Sequence, residues 1–175
     1  MKTAVLQYNI LDDLKQLTKF GLSVSVVFSS IAGYLLAADQ IDWKILVLLA
    51  VGGYCMVGAS NAFNQIIERG PDALMKRTMN RPIPAGRISV NVAMVIAVAL
   101  TLLGVIILYG INERTALFGS VSIFLYTSAY TPLKPITPLS VFVGAIPGAI
   151  PFMLGWVAAT GQFGIEPGML FMIQF

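Results

Sequence analysis

The sequence has no histidine and a single cysteine, Cys55. The first absence removes the commonest general base and metal ligand from this chain. The second rules out an internal disulfide and a thiolate metal cage. Cys55 lies between Tyr54 and Met56 in an apolar run and reads as a small packing residue. Charge is scarce too: 11% of the 175 residues are charged, against about 25% in an average soluble domain. Eleven Lys and Arg with eight Asp and Glu cannot coat a soluble particle of this size. These shortages exclude an ordinary cytosolic globule, a disordered chain and a nucleic-acid binder. What is plentiful is apolar: 57% of residues are hydrophobic, and the mean hydropathy is +0.83. The balance is that of an integral membrane protein, with the lipid bilayer as its surroundings. The net charge of +3 is concentrated, because five of the eleven basic residues lie between Arg69 and Arg87.

A helix needs about 20 apolar residues to cross about 30 Å of hydrocarbon. Charge-free stretches predict spans at Phe20 to Ala38, Ile45 to Ile67, Val90 to Ile111 and Thr115 to Leu133, with a fifth near Val141 to Ala159. Gly168 to Phe175 begins a sixth run of only eight residues. Eight residues cannot cross a bilayer, and a terminal carboxylate buried in hydrocarbon is costly. The expectation is therefore the N-terminal part of a longer protein, incomplete at its C-terminus. The expected fold class is all-α: a polytopic transmembrane bundle over residues 20–175, preceded by an amphipathic segment, residues 1–19. In that segment Leu11, Leu14 and Leu17 recur at helical spacing, which suits a helix lying on the membrane face. A plain leader into the first span fits it almost as well. It shows no cleavable secretory pattern.

Basic residues favour cytoplasmic loops. With the N-terminus in the cytoplasm, nine fall inside (Lys2, Lys15, Lys19, Arg69, Lys76, Arg77, Arg81, Arg87 and Lys134) and two outside (Lys44 and Arg114). The expected topology is N-terminus in, with the 68–89 loop on the same side.

That loop is the one segment with chemistry in it. Asn64, Glu68 and Asp72 are spaced by four, which on a continuous helix makes one oxygen-rich stripe. Two carboxylates and an amide oxygen suit a hard cation, Mg²⁺ above all, which keeps waters and shares its coordination with substrate phosphate. Lys76, Arg77, Arg81 and Arg87 follow and could contact the remaining phosphate oxygens. Gly70 and Pro71 should end or kink the helix between Glu68 and Gly70, because Pro71 clashes with the carbonyl of Ile67. A solvated hairpin that merely sets topology is the plainer reading. Two features favour a site. Asn64 and Gln65 sit at the end of a span, where amides are costly unless used. Glu68 follows directly from hydrocarbon, although carboxylates contribute little to topology. Lys134, alone in the second cytoplasmic loop, either reaches the same anionic head or anchors that loop.

Other features are weaker. Gly52, Gly53, Gly58, Ala59 and Ser60 thin one part of the second span, and Gly144 with Gly148 forms a GxxxG; both fit close helix packing. Pro147 and Pro151 make the fifth span irregular, which is tolerated inside protein or along a cavity. Phe28, Tyr34, Tyr54, Phe63, Tyr126, Tyr130 and Phe152 are candidates for an apolar tunnel, or ordinary lipid and core contacts. Trp43 fits an interfacial anchor.

The pattern Asn64-x-x-x-Glu68-x-x-x-Asp72 resembles the first aspartate-rich motif of the UbiA-type membrane prenyltransferases. The continuation Asp72 to Ser89, and Tyr130 to Trp156, resemble the protoheme IX farnesyltransferase (haem O synthase) branch of that superfamily. The resemblance implies a nine-helix bundle in a chain of roughly twice this length, with a second aspartate-rich motif after Phe175. It implies transfer of a farnesyl group from farnesyl diphosphate to a vinyl group of protoheme IX, in a bacterial inner membrane, with Mg²⁺ as cofactor. Asn64, Glu68 and Asp72 become the candidate catalytic and metal-binding residues; Lys76, Arg77, Arg81 and Lys134 become candidate diphosphate contacts. Glu68 stands where the wider family has Asp, and Pro135 where a basic residue is common. Another acceptor, a quinone precursor or a chlorophyll-like ring, or a non-catalytic scaffold or transporter, are the competing expectations.

Overall fold

The computed structural model describes residues 9–175; the start of the amphipathic segment, Lys2 included, lies outside them. All regular structure among the described residues is helical. The elements are α1 (Ile10–Leu17), α2 (Phe20–Ala37), α3 (Trp43–Ile67), α4 (Arg69–Leu74), α5 (Val90–Tyr109), α6 (Glu113–Phe124), a π-helical segment (Leu125–Tyr130), α7 (Thr131–Leu133), α8 (Ser140–Thr160) and α9 (Ile165–Gln174).

Four of these, α2, α3, α5 and α8, are long and apolar enough to cross a membrane. Where a further span was expected, the chain is helical throughout from Glu113 to Leu133, but a π segment interrupts it, and no single helix there is long enough to count among the four. Pro132 supplies a cause. It has no N–H and cannot close the ladder bond that an α-helix requires there. Thr131 N–H bonds instead to Tyr126 O, five residues back. That span begins earlier than charge alone suggested. The Asn112 side chain accepts from Thr115 N at 2.8 Å and draws Glu113 and Arg114 into the first turn. Asp42 and Ser89 cap α3 and α5 in the same way.

Helix contacts run from α8 to α2, α3, α5, α6 and back to α8, and α9 lies against α8. Tyr34, Leu49, Met56, Leu108, Met153, Leu154 and Val157 form the central core. Outward-facing apolar side chains such as Val95 and Ile106, each 68% exposed, suit contact with lipid. Trp43, 73% exposed, stands at the first turn of α3.

Small residues set how closely these helices approach. A Cβ on Gly155 of α8 would overlap the carbonyl oxygen of Ser30 on α2, and one on Gly33 of α2 would overlap that of Phe152. Gly52, expected as a packing residue, lies against Leu108. The GxxxG pair divides: Gly144 faces the Tyr130 ring, whereas Gly148 has nothing within 4 Å. Gly155→Ala should therefore lower stability by about 3 kcal/mol through overpacking. Gly148→Ala should be neutral or stabilising, by up to about 1 kcal/mol. Thermal unfolding of both variants in detergent checks this, and equal melting temperatures would contradict the packing assignment.

Candidate functional site

The site begins where α3 leaves the bundle. α3 ends at Ile67, as the Gly70-Pro71 pair predicted, and Glu68 leaves helical geometry with φ −86° and ψ 7°. The backbone nevertheless keeps its rhythm: Glu68 N donates to Asn64 O at 2.9 Å, and Asp72 N donates to Glu68 O at 2.8 Å. The chain bends without unwinding, so Asn64, Glu68 and Asp72 all line one cavity of about 700 Å³. Arg69 donates to the carbonyl of Ile66 at 2.9 Å and covers part of the helix end.

Each of the three oxygen-bearing side chains meets a different cation. Arg81 Nη1 lies 2.5 Å from Asp72 Oδ2, in the buried part of the cavity. Lys134 Nζ lies 2.9 Å from Glu68 Oε1 and 4.7 Å from the centre of the Tyr130 ring. Lys19 Nζ donates to Asn64 Oδ1 at 3.2 Å. Among the described residues Asn64 Nδ2 is buried with no partner. Arg77 and Tyr126 also line the cavity. Burial, followed by the positive charges of Arg81 and Lys134, lowers the Lys19 pKa to about 8, against the pull of Glu68 and Asp72. Burial also opposes the charge of Lys134, but its hydrogen bond to Glu68 and that carboxylate's charge prevail and raise its pKa.

Two of the expected basic residues stand elsewhere. Lys76 is exposed and is not among the lining residues. Arg87 turns to the N-terminal helix, donating to Asp13 Oδ1 at 2.7 Å, Gln16 Oε1 at 3.1 Å and Asn80 O at 2.9 Å. Its role is to dock α1, not to face the cavity. Gln65 has a similar use: its amide donates to the carbonyls of Gln16 and Leu17, at 2.9 and 3.0 Å. Asn61 donates to the carbonyl of Thr18 at 3.2 Å. These two amides satisfy the end of α1, where helix carbonyls lack partners.

Lys19 is the charged cavity residue that sequence reasoning missed, having counted only toward topology. It adopts φ 48°, the left-handed region that a lysine rarely enters. The clamped end of α1 holds the strained turn and aims the ammonium at Asn64. Of the seven aromatic tunnel candidates, Tyr126 and Tyr130 line the cavity. Phe28 is 71% exposed, and Tyr54 and Tyr34 are hydrogen-bonded to Thr18 and to Asp42 N, each at 3.0 Å. Tyr126 also walls a second, mainly apolar cavity of about 200 Å³ that reaches Val57, Gly148 and Pro151 inside the bundle.

Among the described residues no group of three or more His, Cys, Asp or Glu gathers as a metal cluster. The donors here are two carboxylates and one amide oxygen. They fit a cation that takes only part of its coordination from protein, as Mg²⁺ does when it shares substrate phosphate.

A family model described as the UbiA prenyltransferase family matches residues 26–175. A curated relative, the protoheme IX farnesyltransferase of Christiangramia forsetii, is 70% identical over 167 residues, covering 95% of this chain and 56% of that protein. The chain thus spans about half the length of the curated relatives it matches. A solved structure of a digeranylgeranylglyceryl phosphate synthase matches with TM-score 0.85 at 21% identity, over 94% of this chain and 58% of that one. A UbiA homologue from Archaeoglobus fulgidus, bound to DMAPP and Mg²⁺, matches with TM-score 0.75 at 16% identity, over 93% and 60%. At these identities the likeness speaks for the fold.

The docking of α1 is open to test. Arg87→Met should cost about 3 kcal/mol or more, because it leaves the buried Asp13 carboxylate without its partner. Adding Asp13→Asn should recover part of that loss. Melting temperatures of the single and double variants check this; an Arg87→Met protein as stable as wild type would refute the docking role.

Proposed function

The chain belongs to the UbiA prenyltransferase family, and from that premise we propose that the full-length protein transfers a farnesyl group from farnesyl diphosphate to a vinyl group of protoheme IX, giving haem O. The observation that carries this reading is the cavity at the end of α3. Oxygen donors and cations converge there beside a second, apolar cavity, with Tyr126 common to both walls.

Asn64, Glu68 and Asp72 would hold Mg²⁺, which when bound would neutralise charge on the departing diphosphate. The homologue from Archaeoglobus fulgidus bound to DMAPP and Mg²⁺ supports that assignment. Arg77, Arg81 and Lys134 would grip the diphosphate oxygens with charge-assisted hydrogen bonds. The allylic C–O bond breaks and its electron pair leaves with the diphosphate. The farnesyl tail would run past Tyr126 toward Gly148, in a space that keeps water from the developing cation. Carbon 1 of the tail bonds to the vinyl group, water adds as the hydroxyl, and a proton is released. No strong base is required of these residues.

Farnesyl and protoheme are proposed from the curated relatives named protoheme IX farnesyltransferase, of which one covers 95% of this chain. The wider family supports a prenyl diphosphate donor, as in the homologue bound to GPP and Mg²⁺. The excess of basic residues on one side supports a cytoplasmic N-terminus and 68–89 loop. The bacterial relatives support the inner membrane.

In the full-length protein, alanine at Asn64, Glu68 or Asp72 should lower Mg²⁺-dependent diphosphate release by about 10²-fold or more. Lys76→Ala should change it less than about threefold, since a solvated charge contributes little. Unchanged turnover in all three alanine variants would remove the metal assignment. Offering hydroxybenzoate in place of protoheme in the same assay should give no prenylated product, and its prenylation would reassign the acceptor.

A further inference from the structure

The charges that line the 700 Å³ cavity do not cancel. Lys19, Arg77, Arg81 and Lys134 face it against Glu68 and Asp72, an excess of two positive charges. Three of the cations are already engaged. Lys19 holds Asn64 Oδ1 at 3.2 Å, Arg81 holds Asp72 Oδ2 at 2.5 Å, and Lys134 holds Glu68 Oε1 at 2.9 Å. These are the side chains assigned above to the metal. They are approached from three separate places: the α1–α2 turn, the loop after α4, and the residue after α7.

We propose that Lys19, Arg81 and Lys134 are built-in counter-cations, which pair with the side chains assigned to the metal and move to the diphosphate when it enters. The inference rests on the metal reading of Asn64, Glu68 and Asp72. A divalent cation arriving alone meets a cavity of net positive charge, where each donor side chain already has one oxygen paired with a cation. A diphosphate arriving alone meets cations. When the two arrive together, the diphosphate receives the displaced ammonium and guanidinium groups, and the donors are freed for the metal. Lys19 is the clearest member. Asn64 offers one oxygen, its nitrogen is buried without a partner among the described residues, and a left-handed backbone turn delivers the ammonium to that oxygen. Lys19 is thus a positioning residue for the metal ligands, separate from any contact it makes with substrate.

The test uses full-length protein in nanodiscs of zwitterionic lipid. Mn²⁺ binding is followed by electron paramagnetic resonance without phosphate, and inorganic pyrophosphate binding by calorimetry without metal. The Mn²⁺ ion followed is the one that Asp72→Asn removes. Lys19→Met and Lys134→Met should each tighten Mn²⁺ binding at least fivefold and weaken pyrophosphate binding by a similar factor. Arg77→Met, at a cavity cation outside the three donor pairs, gives the shift that loss of a nearby charge alone produces; a counter-cation exceeds it with effects of opposite sign, whereas a merely structural role lowers both affinities. Thermal unfolding reports whether each variant is folded, and if Lys19→Met is not, Lys134→Met and Arg81→Met decide. Mn²⁺ affinity that is unchanged, weakened or tightened no more than by Arg77→Met in the folded variants overturns the inference and leaves the metal reading standing. Wild-type protein that binds no Mn²⁺ even with farnesyl thiodiphosphate overturns that reading, and this inference with it.

Discussion

A membrane helix that ends in an amide and a carboxylate, followed one turn later by a second carboxylate, must find compensation for all three. Unpaired, such groups are among the costliest to place at the edge of hydrocarbon. This chain compensates each with a cation from another part of the sequence. Lys19 reaches Asn64 across 45 residues, and Lys134 and Arg81 reach Glu68 and Asp72. Those pairings draw the α1–α2 turn, the α3–α4 corner, the following loop and the end of the π-interrupted span around one cavity. The polar cavity and the closure of the bundle at that end therefore rest on the same contacts.

The neighbouring amides have a different task. Asn61 and Gln65 spend their donors on the carbonyls that end α1. Arg87 ties the same helix down through Asp13. Together they fix α1 well enough to hold Lys19 in a left-handed turn. On the far wall, the π segment turns Tyr126 and Tyr130 toward the cavity, and Gly144 leaves room for the Tyr130 ring against α8. A wider helical turn beside a cavity is a common device for placing side chains that regular geometry would aim elsewhere.

Much of this was legible in the order of residues. Charge-free runs located the spans, because hydrocarbon admits little else. The Gly70-Pro71 pair located the bend after α3. The dense loop drew attention to Asn64, Glu68, Asp72 and Arg81, and the lone charge of the next cytoplasmic loop to Lys134, all of which the structure brings to one cavity. The rest depended on direction and distance. Lys76 and Arg77 are adjacent, yet only Arg77 lines the cavity, since the loop's path decides which way each side chain turns. Arg87 finds Asp13 across 74 residues, a pairing that no local pattern announces. Lys19 became visible only with its backbone angle. Gly33 and Gly155 looked like any other glycines until their helices were packed.

The decisive event is the entry of a diphosphate between the cations and the oxygen donors, with its chain directed into the bundle past Tyr126. A cryo-electron microscopy map of the full-length protein with Mg²⁺ and farnesyl thiodiphosphate would test it most directly. The expected map has diphosphate density against Arg81 and Lys134, a tail running toward Gly148, and Lys19 withdrawn from Asn64. Density for the headgroup elsewhere, with the Lys19–Asn64, Arg81–Asp72 and Lys134–Glu68 pairs intact, would contradict it.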